Sequence, residues 1–295
     1  MIGRPEVLPV AKSVLGEGPL WIPDEDQLVW VDIESGRIHL YAPGTGNYRS
    51  VAVGQRIGAV VKAEDGRMVC AMESGFAFLD LAGGGLEPIA DPEAHLPGNR
   101  FNDGKVDPAG RFWAGTMPMD GGGAAGSLYR LDGDGSVARM VGEIGCSNGL
   151  GWSPDGRTMY YIDTPTRRID RFDYDAISGN IGNRRTAAVI PREHGYPDGM
   201  TVDAEGMLWV ACWDGYGVSR IDPATGKLLE RLELPVARVT SCCFGGESLD
   251  ELYITSASVG LSEEQLRREP LSGSLFMHKP GVKGLPATEY KAFGR

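Results

Sequence analysis

The chain has 295 residues, of which 43 are Gly, 19 are Pro and 42% are hydrophobic, so it can bury a sizeable core between many turns. Its 40 acidic against 29 basic side chains give a net charge of −11, which argues against nucleic acid or an anionic membrane as partner, since both call for a basic face. No apolar run reaches the roughly 18 residues of a membrane span, and the polar start Met1-Ile2-Gly3-Arg4-Pro5 leads into no signal-peptide core, which sets the expectation of a cytoplasmic protein.

The segment from Arg4 to Ser13 stands ahead of a repeated pattern and is expected to pair in part with the last repeat and close a ring. Six segments of similar plan follow: Glu17 to about Gly46, Gly58 to about Gly84, Asn102 to about Gly135, Asn148 to about Gly179, Asp198 to about Gly226, and Thr240 to about Gly281. The fifth shows the plan most clearly. An acidic turn at Tyr196-Pro197-Asp198-Gly199 leads into a short apolar strand, a tight Asp203-Ala204-Glu205-Gly206 turn, and a second strand, Met207-Leu208-Trp209-Val210-Ala211. A third strand follows in most segments, such as Gly126–Leu131 or Gly217–Asp222, and ends in a polar Gly turn. The second and sixth segments fit less closely. The starts of successive segments lie 41 to 50 residues apart, the spacing of propeller blades with four strands each. Only Leu261–Arg268 reads as a helix, with a Ser cap, early Glu, late Arg and Pro270 beyond. The expected architecture is all-β: a six-bladed β-propeller of four-stranded antiparallel blades around a central channel, formed as a single domain over 1–295.

The first positions of the segments carry the chemistry. Asn102, Asn148 and Asp198 stand at one common offset before the turn glycines Gly110, Gly156 and Gly206, and Glu17 stands correspondingly before Trp21. The second and sixth segments supply Gly58 and Thr240 there. Equivalent positions of successive blades lie on a circle about the channel, so four oxygen-bearing side chains are expected to converge at one mouth. Two carboxylates and two amides, without His or Cys, suit a hard divalent cation such as Ca²⁺ or Mg²⁺. Any one of them alone would be explained by an Asx turn at a strand start.

Leu15-Gly16-Glu17-Gly18-Pro19, Arg100-Phe101-Asn102-Asp103-Gly104-Lys105-Val106-Asp107, Gly115-Thr116-Met117, Ser147-Asn148-Gly149 and Tyr196-Pro197-Asp198-Gly199 together resemble the SMP-30/gluconolactonase/regucalcin family, over nearly the whole chain. The resemblance implies a six-bladed propeller with one divalent metal in the channel, Ca²⁺ first, with Zn²⁺, Mn²⁺, Mg²⁺ or Fe²⁺ as other candidates. It implies Glu17, Asn148 and Asp198 as metal ligands, Arg100 and Asn102 as substrate contacts, and Asp120 where relatives place an acidic substrate contact. The implied activity is hydrolysis of a sugar lactone, a small-molecule substrate, by a monomer or weak homo-oligomer, with Asp198 as general base. The alternative is a non-catalytic calcium-binding or interaction propeller.

Other signals are set aside. Gly145-Cys146-Ser147-Asn148-Gly149 has the letters of a nucleophile elbow, but strand-forming sequence follows it and no histidine partner is evident. Gly121-x-Gly123-x-x-Gly126 precedes no helix and reads as a loop. Asp132-Gly133-Asp134-Gly135-Ser136 reads as a hairpin turn rather than a calcium loop. The five cysteines, an odd number without a Cys-x-x-Cys, read as reduced, small core residues, and five of the six tryptophans as core, with Trp213 a candidate for the channel mouth.

Overall fold

Runs such as Leu28-Val29-Trp30-Val31 and Leu208-Trp209-Val210-Ala211 are too short for buried helices and too apolar to face water on either side, so each strand needs a covered sheet. In the computed structural model, which describes residues 4–81 and 85–292, they form six four-stranded antiparallel sheets arranged as a six-bladed β-propeller. Gly84, expected to end the second segment, and Met1–Gly3 lie outside the described residues.

From the channel outwards, the first blade is Gly16–Ile22, Gln27–Asp32, Arg37–Ala42 and Asn47–Ala52; the second is Ile57–Lys62, Met68–Met72, Gly75–Leu79 and Leu86–Ala90. The third is Asn99–Val106, Phe112–Pro118, Gly126–Leu131 and Val137–Ile144, and the fourth is Ser147–Trp152, Thr158–Asp163, Arg168–Tyr174 and Ile181–Val189. The fifth is Tyr196–Val202, Leu208–Trp213, Gly217–Asp222 and Lys227–Glu233. The sixth takes Val239–Gly245, Glu251–Ser256 and Phe276–His278, and its outermost strand is Glu6–Val7, with Glu6 opposite Met277 and Val7 opposite Phe276. The leading segment therefore closes the ring, as its position ahead of the repeats predicts.

The core lies between the faces of neighbouring blades. Val29, Val31, Ile38 and Leu40 of the first blade pack with Val60, Met68, Cys70 and Ala77 of the second, and Trp113 and Leu128 of the third pack with Leu150, Met159 and Tyr161 of the fourth. Trp21, Trp30, Trp113, Trp152 and Trp209 are all buried, while Trp213 is half-buried under the Arg238 guanidinium, 4.8 Å from the ring centre. The helix spans Glu263–Arg268. It starts at Ser262, whose hydroxyl accepts from the Gln265 N–H while the Gln265 side chain accepts from the Ser262 N–H. At Asp132–Ser136 the chain turns as a hairpin, with Gly135 N–H donating to Asp132 O at 2.9 Å.

Beyond the sixth blade the chain crosses the end of the channel remote from the strand starts. Ala204 N–H donates to Lys283 O, Gly284 N–H to Leu249 O, and Tyr290 is bridged to the Lys62–Glu64 stretch through backbone hydrogen bonds on both sides. Tyr290 is fully buried, and Leu285–Thr288 cover a cavity of about 320 Å³ walled by all six inner strands.

Candidate active site at the channel mouth

All six inner strands change register at the same point. The shift falls between Glu17 and Leu20, Ile57 and Ala59, Phe101 and Gly104, Asn148 and Leu150, Pro197 and Met200, and Val239 and Ser241. Each bulge includes or adjoins a repeat's first position. A bulge frees a residue from the ladder and re-aims its side chain, which is how one offset in sequence becomes one ring in space.

Close packing of inner strands makes the ring narrow. A Cβ on Gly58 would lie 2.5 Å from the carbonyl oxygens of Phe101 and Asn102, and one on Gly149 would lie 2.8 Å from Asp198 O. Glycine is thus required at these two contacts between neighbouring strand starts. Thr240 faces the seam instead: its hydroxyl donates to Gly16 O at 2.5 Å and lies 2.8 Å from Thr255 Oγ1.

The third and fourth blades meet through their amides. Asn102 Nδ2 donates to Asn148 Oδ1 at 3.1 Å and to Ser147 O at 2.8 Å, while Arg100 Nη1 donates to Asn102 Oδ1 at 2.7 Å and to Phe101 O at 2.9 Å. Arg100, Asn102 and Asn148 are all buried. The structure therefore brings these three expected residues together.

Glu17 and Asp198 are each 4% exposed, and among the described residues neither forms an ion pair. Burial pushes the Glu17 carboxyl up to about 8, with Asp103 adding to the rise and the Gly18 N–H and Arg100 opposing it. Burial also holds Asp198 well above the ordinary carboxylate range, followed by repulsion from Glu17 and Asp103. The two expected carboxylates and Asp103 thus form one mutually repelling group. Asp120 does not join them. It is exposed, and its Oδ1 accepts from Gly122 N–H at 2.9 Å within its own loop.

As to a metal, no group of three or more His, Cys, Asp and Glu side chains disposed to hold one occurs among the described residues. The ring offers a different donor set: the Glu17 and Asp198 carboxylates with the Asn148 amide oxygen. Its chemistry fits a hard cation, because two buried, mutually repelling carboxylates that no ion pair neutralises are what a divalent ion would neutralise.

Two residues at this mouth are absent from the ring expected from sequence. Asp103 follows Asn102 inside the bulge, and its side chain lines the channel cavity, close enough to Glu17 and Asp198 to raise both carboxyls. Cys146 was grouped with small core cysteines, yet it is half-buried, with Sγ 3.9 Å from Asn102 Nδ2 and 3.6 Å from Asn148 Nδ2. Burial, then the Asp198 charge, pushes its thiol up to about 12. The signal for Cys146 was its place two residues before Asn148. Ser147, in contrast, is fully buried, and its Oγ accepts from Tyr161 O–H at 2.8 Å.

A propeller whose channel mouth gathers buried carboxylates and amides from successive blades defines a class in which the site lies on the ring axis. Within that class, the chain belongs to the SMP-30/gluconolactonase/LRE-like family, whose model matches residues 15–258. It is 43% identical over 282 residues to regucalcin of Danio rerio, covering 95% of each chain. It is 40% identical over 265 residues to a Bacillus subtilis (strain 168) protein provisionally named sugar lactone lactonase YvrE, covering 90% of this chain and 91% of that one. The solved structure of a calcium-binding protein, regucalcin, from Agrobacterium tumefaciens str. C58 superposes with a TM-score of 0.93 at 32% identity, covering 98% of this chain and 97% of that one.

Proposed function

We propose that the chain, acting as one propeller domain, is a hydrolase of lactone esters that opens a sugar lactone to its aldonic acid at this channel mouth, with a divalent cation held by Glu17, Asn148 and Asp198. The observation that carries the reading is the burial of two mutually repelling carboxylates, Glu17 and Asp198, neither of which forms an ion pair among the described residues. Family membership and the lactonase name of the Bacillus relative support the substrate class.

A bound divalent cation, Ca²⁺ as first candidate, supplies Lewis-acid polarisation of the lactone carbonyl. The protein's own groups do the rest. Asp198 accepts the proton of the attacking water at a carboxylate oxygen and returns it to the departing ring alkoxide. Arg100 and Asn102 donate hydrogen bonds to the developing oxyanion or to sugar hydroxyls. Asp120 is proposed as a substrate contact only after its loop turns from Gly122.

The test is a pH-stat assay over a panel of aldonolactones, with and without chelator. Acid release that chelator abolishes and added metal restores is expected. Cation binding with no turnover of any lactone would establish the calcium-binding reading that the name of the Agrobacterium structure favours.

A further inference from the structure

A single file of hydrogen bonds joins three blades across the site. Arg100 Nη1 donates to Asn102 Oδ1 at 2.7 Å, Asn102 Nδ2 to Asn148 Oδ1 at 3.1 Å, Asn148 Nδ2 to Thr164 Oγ1 at 2.8 Å, and Thr164 Oγ1 to Pro197 O at 2.8 Å. Pro197 directly precedes Asp198. The file starts at a guanidinium, which can only donate, and ends at a backbone carbonyl, which can only accept. Its sense is therefore fixed at both ends, and so is the orientation of both amides between them. Reversing either one would set donor against donor and acceptor against acceptor.

Thr164 is the link without a role so far. It opens the short 3₁₀ turn Thr164–Thr166 after the second strand of the fourth blade, and its own N–H is tied to Cys146 O at 3.1 Å. That bond holds its backbone, and the β-branched side chain has few rotamers to leave. Its hydroxyl is the only member of the file that both accepts and donates through one atom, and it spans the fourth and fifth blades.

We propose that Thr164 is a positioning residue: it turns the Asn148 amide so that Oδ1 faces the channel, and it couples that amide to the strand start carrying Asp198. The proposal rests on the metal-dependent reading of the same site. Without the hydroxyl, the Asn148 NH₂ keeps only the weak Cys146 Sγ acceptor at 3.6 Å, and the amide is held from one side alone, by Asn102 Nδ2, so that Oδ1 is less firmly presented to a cation. Groups that hold metal-ligating side chains in this way commonly affect metal affinity by about 10- to 100-fold.

The test compares Thr164→Val, which keeps the shape, with Thr164→Ser, which keeps the hydroxyl, by calorimetric titration of the full chain with Ca²⁺ and Mn²⁺. Thr164→Val should weaken binding by about 10- to 100-fold and Thr164→Ser should restore it to near the parent value. A cycle with Asn148→Asp separates positioning from bulk structure. A carboxylate has no NH₂ to orient, so in the Asn148→Asp background Thr164→Val should cost little further affinity. Should Thr164→Val not fold, Thr164→Ala enters the same cycle. Binding by Thr164→Val as tight as the parent's, or an equal loss with and without Asn148→Asp, overturns the proposal and leaves the metal reading standing. A parent chain that binds neither ion overturns both.

Discussion

The Trp209 indole N–H donates to Asp203 Oδ2 at 3.0 Å, tying the second strand of the fifth blade to the turn before it. The same carboxylate accepts from the N–H groups of Glu205 and Met207 and pairs with Arg220 at 2.8 Å, although it is fully buried. Two blades earlier, Asp107 and Trp113 repeat the arrangement at 2.9 Å, with Arg111 as the cation.

Asp203→Ala should therefore destabilise the fold by about 3–5 kcal/mol, because it leaves a buried indole N–H and two backbone donors without their acceptor and the Arg220 guanidinium with only the exposed Glu205. Denaturant unfolding monitored by tryptophan fluorescence measures this. A loss under about 1 kcal/mol would show that water replaces the carboxylate at little cost.

Asp198→Asn and Glu17→Gln remove the same charge from residues given different roles. Loss of a general base commonly costs on the order of 10² to 10⁴ in rate, or roughly 3 to 5 kcal/mol of barrier. At saturating metal, Glu17→Gln should recover most of its turnover and Asp198→Asn should not. Equal recovery of the two would make Asp198 a ligand only and assign proton abstraction elsewhere.

Ser147→Ala should leave kcat within a few-fold of the parent, since Ser147 Oγ is engaged by the Tyr161 hydroxyl inside the blade rather than open to the channel. Its cost should appear in stability instead, about 1–3 kcal/mol for a buried hydroxyl left unpaired. A thousandfold fall in kcat with unchanged melting would point to a serine nucleophile.

His39 supplies a pH test remote from the site. It lies between Trp30 and Tyr48, with Nδ1 2.8 Å from the Tyr48 hydroxyl, and burial lowers its pKa below the ordinary 6.5. The unfolded chain thus binds a proton more readily than the folded one. This stability is present above about pH 6.5 and is lost as pH falls through the folded value, by at most about 1.4 kcal/mol per pH unit. His39→Phe should flatten the decline of melting temperature between pH 7 and 5. An unchanged slope would assign the acid sensitivity to other groups.

The fold was legible because its signals are local and repeated: turn glycines at a fixed distance from short apolar strands, in six copies along the chain. Much of the polar ring was legible for the same reason, through Glu17, Asn102, Asn148 and Asp198. What escaped depends on contacts between blades. Asp103 reaches the channel through a bulge that alternation does not reveal. Thr240 turns to Gly16, more than 200 residues away in sequence, and Cys146 owes its setting to the neighbouring Asn102. Spacing can place a residue on a ring, but only the packed neighbour decides which way it points.

The pairing of Glu6–Val7 with Phe276–His278 has a consequence for how the molecule comes apart. An open array of repeats frays from its outermost units, because each end unit has one neighbour instead of two. Here the earliest and latest strands share a sheet, so every blade has two neighbours and there is no end from which to unzip. Opening any seam exposes two apolar faces at once, and closing it again means joining distant parts of the chain across a long loop. The molecule should accordingly melt as a hoop breaks, in one event, rather than as a stack is dismantled.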